Sequence, residues 1–299
     1  MKLFYTDEFV LPLPEKHRFP MSKYALLRHR LLESELVSPS DLWIPHAATM
    51  EELLLAHSQE YVRRAMNGDL TEAEVRRIGF PWSPELVERS RRSVGATVEA
   101  SRAALGNGFA ANLAGGTHHA FRDCGEGYCV FNDAVVAVRT MQEENRIRRA
   151  IIIDCDVHQG NGTASILADD PSVFTLSIHG EKNFPLRKER SDLDIGLPKD
   201  TTDELFLEAL ETGLKNSLPS AEADLAVYLA GADPYVGDRL GSLAVTKEGL
   251  AARDRMVFDQ CQSLGIPVVI AMAGGYAPDV ADIVDIHFQT IAEALRRCS

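Results

Sequence analysis

Short apolar runs alternate with longer stretches of helical periodicity along the chain. Runs rich in β-branched and small apolar residues predict strands at 2–6, 109–115, 150–156, 172–178, 224–231 and 267–275. A weaker run at 42–47 is interrupted by Pro45, which cannot donate to a sheet ladder. Apolar positions spaced three and four apart predict helices at 21–36, 83–105, 132–146, 202–217, 247–264 and 279–297. The helix near 202 has a start signal: Thr201 or Thr202 serves as N-cap, and Asp203 and Glu204 fall in the first turn, where the helix dipole favours negative charge. Strands alternating with helices make βαβ units, hence a mainly parallel sheet covered on both faces. No repeat, low-complexity tract or linker divides residues 1–299, so a single domain is expected. The stretches 115–130 and 179–200 read as long loops rich in Gly, charge and His, and long ordered loops are usually functional.

Chemistry collects at the predicted strand ends, where open α/β sheets bind ligands. "GGTHHA" follows the strand at 109–115, "DCDVHQGNG" closes the one at 150–156, "GADPYVGDRLG" the one at 224–231, and "GGYA" the one at 267–275. Carboxylates at the end of so apolar a strand as "AIIIDCD" are costly to bury without partners. In extended chain, side chains two apart share a face, so Asp154, Asp156 and His158 point together. With Asp233, the pair Asp156 and His158 offers a zinc ion two carboxylates and an imidazole, leaving a position open for water. The plainer alternative is a satisfied polar strand end, with Asp233 capping a turn before Pro234. The adjacent His118 and His119 fit a general base and an electrostatic helper. Tyr276, after Gly274 and Gly275, fits a donor to a developing oxyanion, or an ordinary buried Tyr.

Composition changes this picture little. The 299 residues are 45% hydrophobic with formal net charge −13, enough for a sizeable core and unsuited to sequence-independent nucleic-acid binding, which relies on Lys and Arg. Five cysteines at no zinc-ribbon or disulfide spacing suggest reduced thiols and a cytoplasmic setting. The first twenty residues have too short an apolar run for a signal peptide, and no window approaches a membrane span.

Taken together, "GGTHHA", "GYCVFNDAV", "DCDVHQGNGT", "LSIHGEKNFP", "AGADPYVGDRLG" and "AGGY" resemble the zinc-dependent histone deacetylase family, with "HQGNG" and "GDRLG" most like its class IV branch and bacterial relatives. The resemblance implies the arginase/deacetylase α/β fold, with a central, mostly parallel eight-stranded sheet flanked by helices. It implies one catalytic Zn2+ per chain on Asp156, His158 and Asp233, His119 as general base with His118 beside it, and Tyr276 on the carbonyl oxygen. It further implies that Asp154 orients His118 and, with Ser177, holds a structural K+. Gly127, Tyr128 and Phe184 would line an acyl-lysine tunnel, with Leu240 near its rim. The substrate would be an acylated lysine of a protein or peptide, or another acylated amine. Some family members carry Asp where this chain has Asn161. Asn orients an imidazole without stabilising the imidazolium as a carboxylate does, so His119 is expected neutral and His118 closer to protonated. A two-manganese ureohydrolase would share the fold, and a catalytically weak acyl-lysine binder would share the pocket.

Overall fold

The computed structural model describes residues 1–14 and 17–298. Eight strands, β1 (Lys2–Phe4), β2 (Leu42–Trp43), β3 (Phe109–Asn112), β4 (Ala150–Asp154), β5 (Val173–Gly180), β6 (Leu193–Leu197), β7 (Leu225–Leu229) and β8 (Val268–Ala271), form one sheet in the order β2-β1-β3-β8-β7-β4-β5-β6. Every pairing is parallel. The helices are α1 (Lys23–Glu33), α2 (Met50–Leu54), α3 (Gln59–Asn67), α4 (Glu72–Ile78), α5 (Pro84–Asn107), α6 (Asp133–Glu143), α7 (Asn161–Leu167), α8 (Asp203–Ala221), α9 (Lys247–Ser263) and α10 (Val280–Leu295).

Alternation along each strand explains the three layers. Ile151, Ile153, Tyr228, Val268 and Ile270 face one core with Leu210, Leu214, Phe258 and Ile286 from α8, α9 and α10. Ala150, Ile152, Val227, Leu229 and Val269 face the other, with Val94, Val98, Val135 and Val138 from α5 and α6. Strands buried on both faces need the near-continuous apolar runs that made them visible in the sequence.

The helix and strand expectations hold with trimmed ends. Thr202 is the N-cap of α8, and the helix runs on through Pro219 into its last turn. Strand β6 and helices α2, α3, α4 and α7 were not anticipated. The stretch 179–200 is therefore not one continuous loop. Strand β6 is an edge strand of alternating partly buried and exposed residues, "LDIGL", with too little apolar contrast to register. The four missed helices have at most nine residues, too short for periodicity to accumulate. Their caps were the better signal: Thr49, Ser58 and Thr71 each accept the N3 backbone amide, a contribution of typically about 1 kcal/mol.

One ion-pair cluster ties the loop after β2 to two helices. His46 lies 2.9 Å from both Glu52 on α2 and Glu99 on α5. Its hydrogen bonds to Glu52 and Glu99 outweigh partial burial and raise its pKa from 6.5 to about 9. A raised folded-state pKa contributes stability that is complete below the unfolded value and is lost as pH rises through the folded one. The two glutamates are shifted down, so their share is lost only in acid. The melting-temperature gap between wild type and His46→Gln should thus be widest near pH 6 and close as pH rises through about 9. A gap independent of pH over that range would show that the pairing does not titrate with His46.

Candidate functional site

Strands β3, β8, β7 and β4 are consecutive neighbours in the sheet, so the four loops leaving their carboxyl ends converge at one place. After β3, Gly115 and Gly116 take left-handed backbone, φ +78° and +76°, and a Cβ on Gly116 would lie 2.4 Å from the Ala273 Cα. The turn is held by Asp133 at the start of α6. Its carboxylate accepts from Gly116 N at 3.1 Å, Thr117 N at 2.7 Å, and the hydroxyls of Thr97 and Thr117. Next come His118 and His119, 3% and 4% exposed, with ring centroids 4.1 Å apart.

Their partners differ. His118 Nδ1 lies 2.6 Å from Asp154 Oδ2, whose other oxygen accepts from Asp156 N. Burial alone would lower the His118 pKa, but the charges of Asp154 and Asp156 outweigh it and raise it to about 9. His119 Nδ1 lies 2.6 Å from Asn161 Oδ1. Burial holds the His119 pKa well below its usual value, aided by repulsion from His118 and His158. The structure thus gives the sequence-based contrast between the two rings a geometric basis.

Asp156, His158 and Asp233 come together from β4 and β7, and one donor atom from each lies within 4.8 Å of the others. All three are buried. Asp156 Oδ1 accepts from the His158 backbone amide and lies 2.9 Å from His158 Nδ1, while Oδ2 accepts from Gly274 N at 2.8 Å. Asp233 Oδ1 accepts from Val157 N at 2.9 Å. Its Oδ2 sits 3.2 Å from His158 Nδ1 but out of line for a hydrogen bond, so this buried oxygen has no donor. Burial and the charge of Asp156 raise Asp233 to about 7. His158, despite its burial, is raised to about 10 by its hydrogen bond to Asp156 and by the adjacent charges of Asp233 and Asp156. An orphaned carboxylate oxygen, a second carboxylate and an imidazole aimed at one point fit a divalent cation. Room for the cluster comes from Gly231 and Gly274. A Cβ on Gly274 would lie 2.0 Å from Asp233 Oδ2, and one on Gly231 would lie 2.8 Å from Asp156.

Tyr276 follows β8, its backbone amide fixed by Asp238 Oδ2 at 2.6 Å. Its ring centroid lies 6.3 Å from His158 and 5.9 Å from Tyr128, and burial raises the phenol pKa well above 10. Tyr276 thus keeps its proton for donation. Gly127 (φ +54°) and Tyr128 (φ +67°) form a tight turn closed by mutual backbone bonds between Glu126 and Cys129. A Cβ on Gly127 would press on the His119 ring at 2.7 Å. Phe184 stands edge-on to His119 at 4.9 Å, is 39% exposed, and lines an outer cleft with Arg77 and Glu126 rather than the inner cavity. Asp154 and Ser177 are register partners on β4 and β5, with the Ser177 hydroxyl 2.9 Å from His179 Nδ1.

A cavity of about 70 Å³ is lined by His118, His119, Gly127, Tyr128, Asp156, His158 and Tyr276 together with Leu11, Phe19, Met21, Phe80, Leu86 and Arg89. Leu240 does not line it. Its carbonyl accepts from Asn183 and its amide donates to Asp238. Several residues here carry roles that pattern reading did not assign. Asp133 and Asp238 stood inside the quoted motifs, yet only the fold shows which amides they hold. Lys23, 1% exposed, donates to the carbonyls of Ala273 and Gly275 behind Tyr276, and no motif surrounds it.

A histone deacetylase domain family matches residues 17–291. A protein of Picosynechococcus sp. described as uncharacterized is 46% identical over 283 residues, spanning 95% of this chain and 94% of that one. Histone deacetylase 2 of Arabidopsis thaliana is 29% identical over 288 residues, spanning 93% of this chain and 74% of that one. Among solved structures, an HDAC homolog from Aquifex aeolicus aligns with a TM-score of 0.86 at 25% identity, covering 98% of this chain and 83% of that one. The matches take in all four strand ends that build the site, and the chain belongs to the histone deacetylase family of amide hydrolases.

Proposed function

We propose that this protein is a zinc-dependent amidohydrolase that removes acyl groups, acetyl or longer, from lysine side chains or comparable amines. The observation that carries the reading is a buried three-donor cation site beside two adjoining histidines with different Nδ1 partners, Asp154 for His118 and Asn161 for His119. One zinc ion would be held by Asp156, His158 and Asp233, and it would supply Lewis-acid polarisation of the amide carbonyl and acidify the attacking water. A structural K+ would sit by Asp154 and Ser177. His119, kept neutral, accepts the water proton at Nε2. Tyr276 donates its hydroxyl to the developing oxyanion. His118, held as an imidazolium by Asp154, stabilises the negative charge and lies beside the base to supply a proton to the departing amine. Gly127, Tyr128 and Phe184 flank the acyl-lysine stem, with Leu240 at the outer rim.

The ureohydrolase alternative needs a second cluster of carboxylate and imidazole donors. Among the described residues, Asp156, His158 and Asp233 form the one group found. A cytoplasmic setting accords with five unpaired thiols, and among the described residues no helix is long and apolar enough to cross a membrane. Turnover of a panel of acyl-lysine peptides from acetyl to myristoyl, alongside acetylated polyamines, tests the reading directly. No turnover of any member by zinc-loaded protein would refute it.

Two variants separate the roles. Asp233→Asn keeps shape but removes a ligand charge, and elemental analysis should show zinc falling from one equivalent per chain while circular dichroism is unchanged. Full zinc occupancy would remove Asp233 from the ligand set. Tyr276→Phe deletes one hydroxyl, and losing an oxyanion donor costs on the order of 10²–10³ in kcat. Since that bond strengthens in the transition state, KM should move far less. A near-wild-type kcat would reduce Tyr276 to a packing residue.

A further inference from the structure

The amide of Asn161 has two faces and two partners. Its oxygen lies 2.6 Å from His119 Nδ1, and its nitrogen donates to Glu126 Oε2 at 3.0 Å. Asn161 is 2% exposed at the start of α7, whereas the Glu126 side chain is 20% exposed and faces an outer cleft shared with Arg77 and Phe184. Glu126 is anchored from three sides. Its backbone closes the turn with Cys129, the next residue's amide donates to the Arg77 carbonyl at 3.1 Å, and Arg77 Nε stands 3.8 Å from Oε1.

An asparagine amide can present either end to an imidazole, and the choice decides which ring nitrogen carries the proton. If the amide nitrogen faced Nδ1, that atom would have to accept, and the proton would sit on Nε2, where it disables the ring as a base. A carboxylate accepts hydrogen bonds and cannot donate them. With Glu126 behind it, Asn161 must turn its nitrogen outward, because the reverse would set two oxygens against each other at about the 3.0 Å now spanned by the hydrogen bond. We propose that Glu126 is a positioning residue that fixes the direction of the Asn161 amide and thereby holds His119 as the Nδ1–H tautomer, with the Nε2 lone pair free for the water proton. The turn that forms the tunnel wall at Gly127 and Tyr128 is thus the same turn that sets the state of the base. The inference rests on the reading of His119 as proton acceptor.

An isosteric cycle tests direction rather than packing. Glu126→Gln keeps volume and hydrogen-bonding capacity but lets both amides reverse together, so kcat should fall about tenfold, with KM changing far less. Asn161→Asp alone sets two carboxylates face to face and should also lower kcat. The double variant Glu126→Gln/Asn161→Asp restores one donor facing one acceptor, with an oxygen again on His119 Nδ1. Because the new carboxylate also favours the imidazolium, the acid limb of its pH profile should move to higher pH. Most of the loss should be recovered on the alkaline plateau, where the variants are compared. Long-range ¹H–¹⁵N correlation spectra of ¹⁵N-histidine-labelled, zinc-loaded protein read the tautomer independently of turnover. On the alkaline plateau, wild type and the double variant should show Nδ1–H for His119, and Glu126→Gln should shift towards Nε2–H. The proposal is overturned if Glu126→Gln keeps wild-type kcat and tautomer, if Asn161→Asp alone matches wild type, or if the double variant is no better than the worse single one. A wild-type protein that turned over no acyl-lysine would refute the functional reading, while the spectra would still decide the tautomer.

Discussion

Two carboxylates, Asp156 and Asp233, are buried within a few ångströms of each other at the centre of the sheet's carboxyl edge, and most of the molecule is arranged around that fact. Like charges so placed cannot both ionise freely. Against burial, the His118 and His158 rings hold the Asp156 carboxyl well below its ordinary pKa, while burial and the Asp156 charge lift Asp233 to about 7. Backbone amides offset part of the cost, and they come from other loops: Gly274 after β8 on Asp156, and Val157 after β4 on Asp233. The remainder falls to His158 and to whatever cation the three donors attract. Site and tertiary structure therefore stabilise each other, since each carboxylate takes an amide from another strand end.

Topology makes that dependence one-directional in the chain. Strand β3 and strand β4 follow each other in sequence but stand three places apart in the sheet, and β7 and β8 fill the gap. The paired histidines and the D-x-D-x-H segment thus meet the third carboxylate and Tyr276 only when the last two strands insert between them. A buried cluster braces the inserted part. Asp254 on α9 accepts from the Tyr228 and Thr290 hydroxyls, both at 2.6 Å, and Arg253 donates to the Gly231 carbonyl two residues before Asp233. Loss of either partner would leave a charge stranded in the core, the situation in which buried pairs matter most.

Much of this was legible in the sequence for one reason: a parallel sheet buried on both faces writes its strands as apolar runs and puts its chemistry at their carboxyl ends. Strand periodicity grouped Asp154, Asp156 and His158; the strand ends at Asp154, which pairs with His118, and the structure brings Asp233 to Asp156 and His158 in the bend after it. What stayed hidden depends on distance in space rather than along the chain. Strand β6 lacked apolar contrast, and helices α2, α3, α4 and α7 were too short to show a period. Lys23 reaches the back of Tyr276 across some 250 intervening residues. Glu126 sat one residue before a quoted motif, and nothing local marked it as facing Asn161.

The two histidines show how little sequence difference a division of labour needs. Both rings are buried to nearly the same degree, so desolvation pushes both towards the neutral form. The partner at Nδ1 distinguishes them, reinforced for His118 by the Asp156 charge 3.8 Å from its Nε2. A carboxylate on His118 reverses the effect of burial, whereas an amide on His119 leaves burial in command. Once His118 is charged, it disfavours a second positive charge on its neighbour 4.1 Å away, so the choice of Asp154 for one ring strengthens the consequence of Asn161 for the other. An amide, however, lacks the symmetry of a carboxylate, and a neutral imidazole is useful as a base only with the correct nitrogen free. Substituting Asn at this place therefore creates a demand for directional information that Asp would not impose. The acceptor nearest to supply it is the Glu126 carboxylate, in the same turn that closes over the ring.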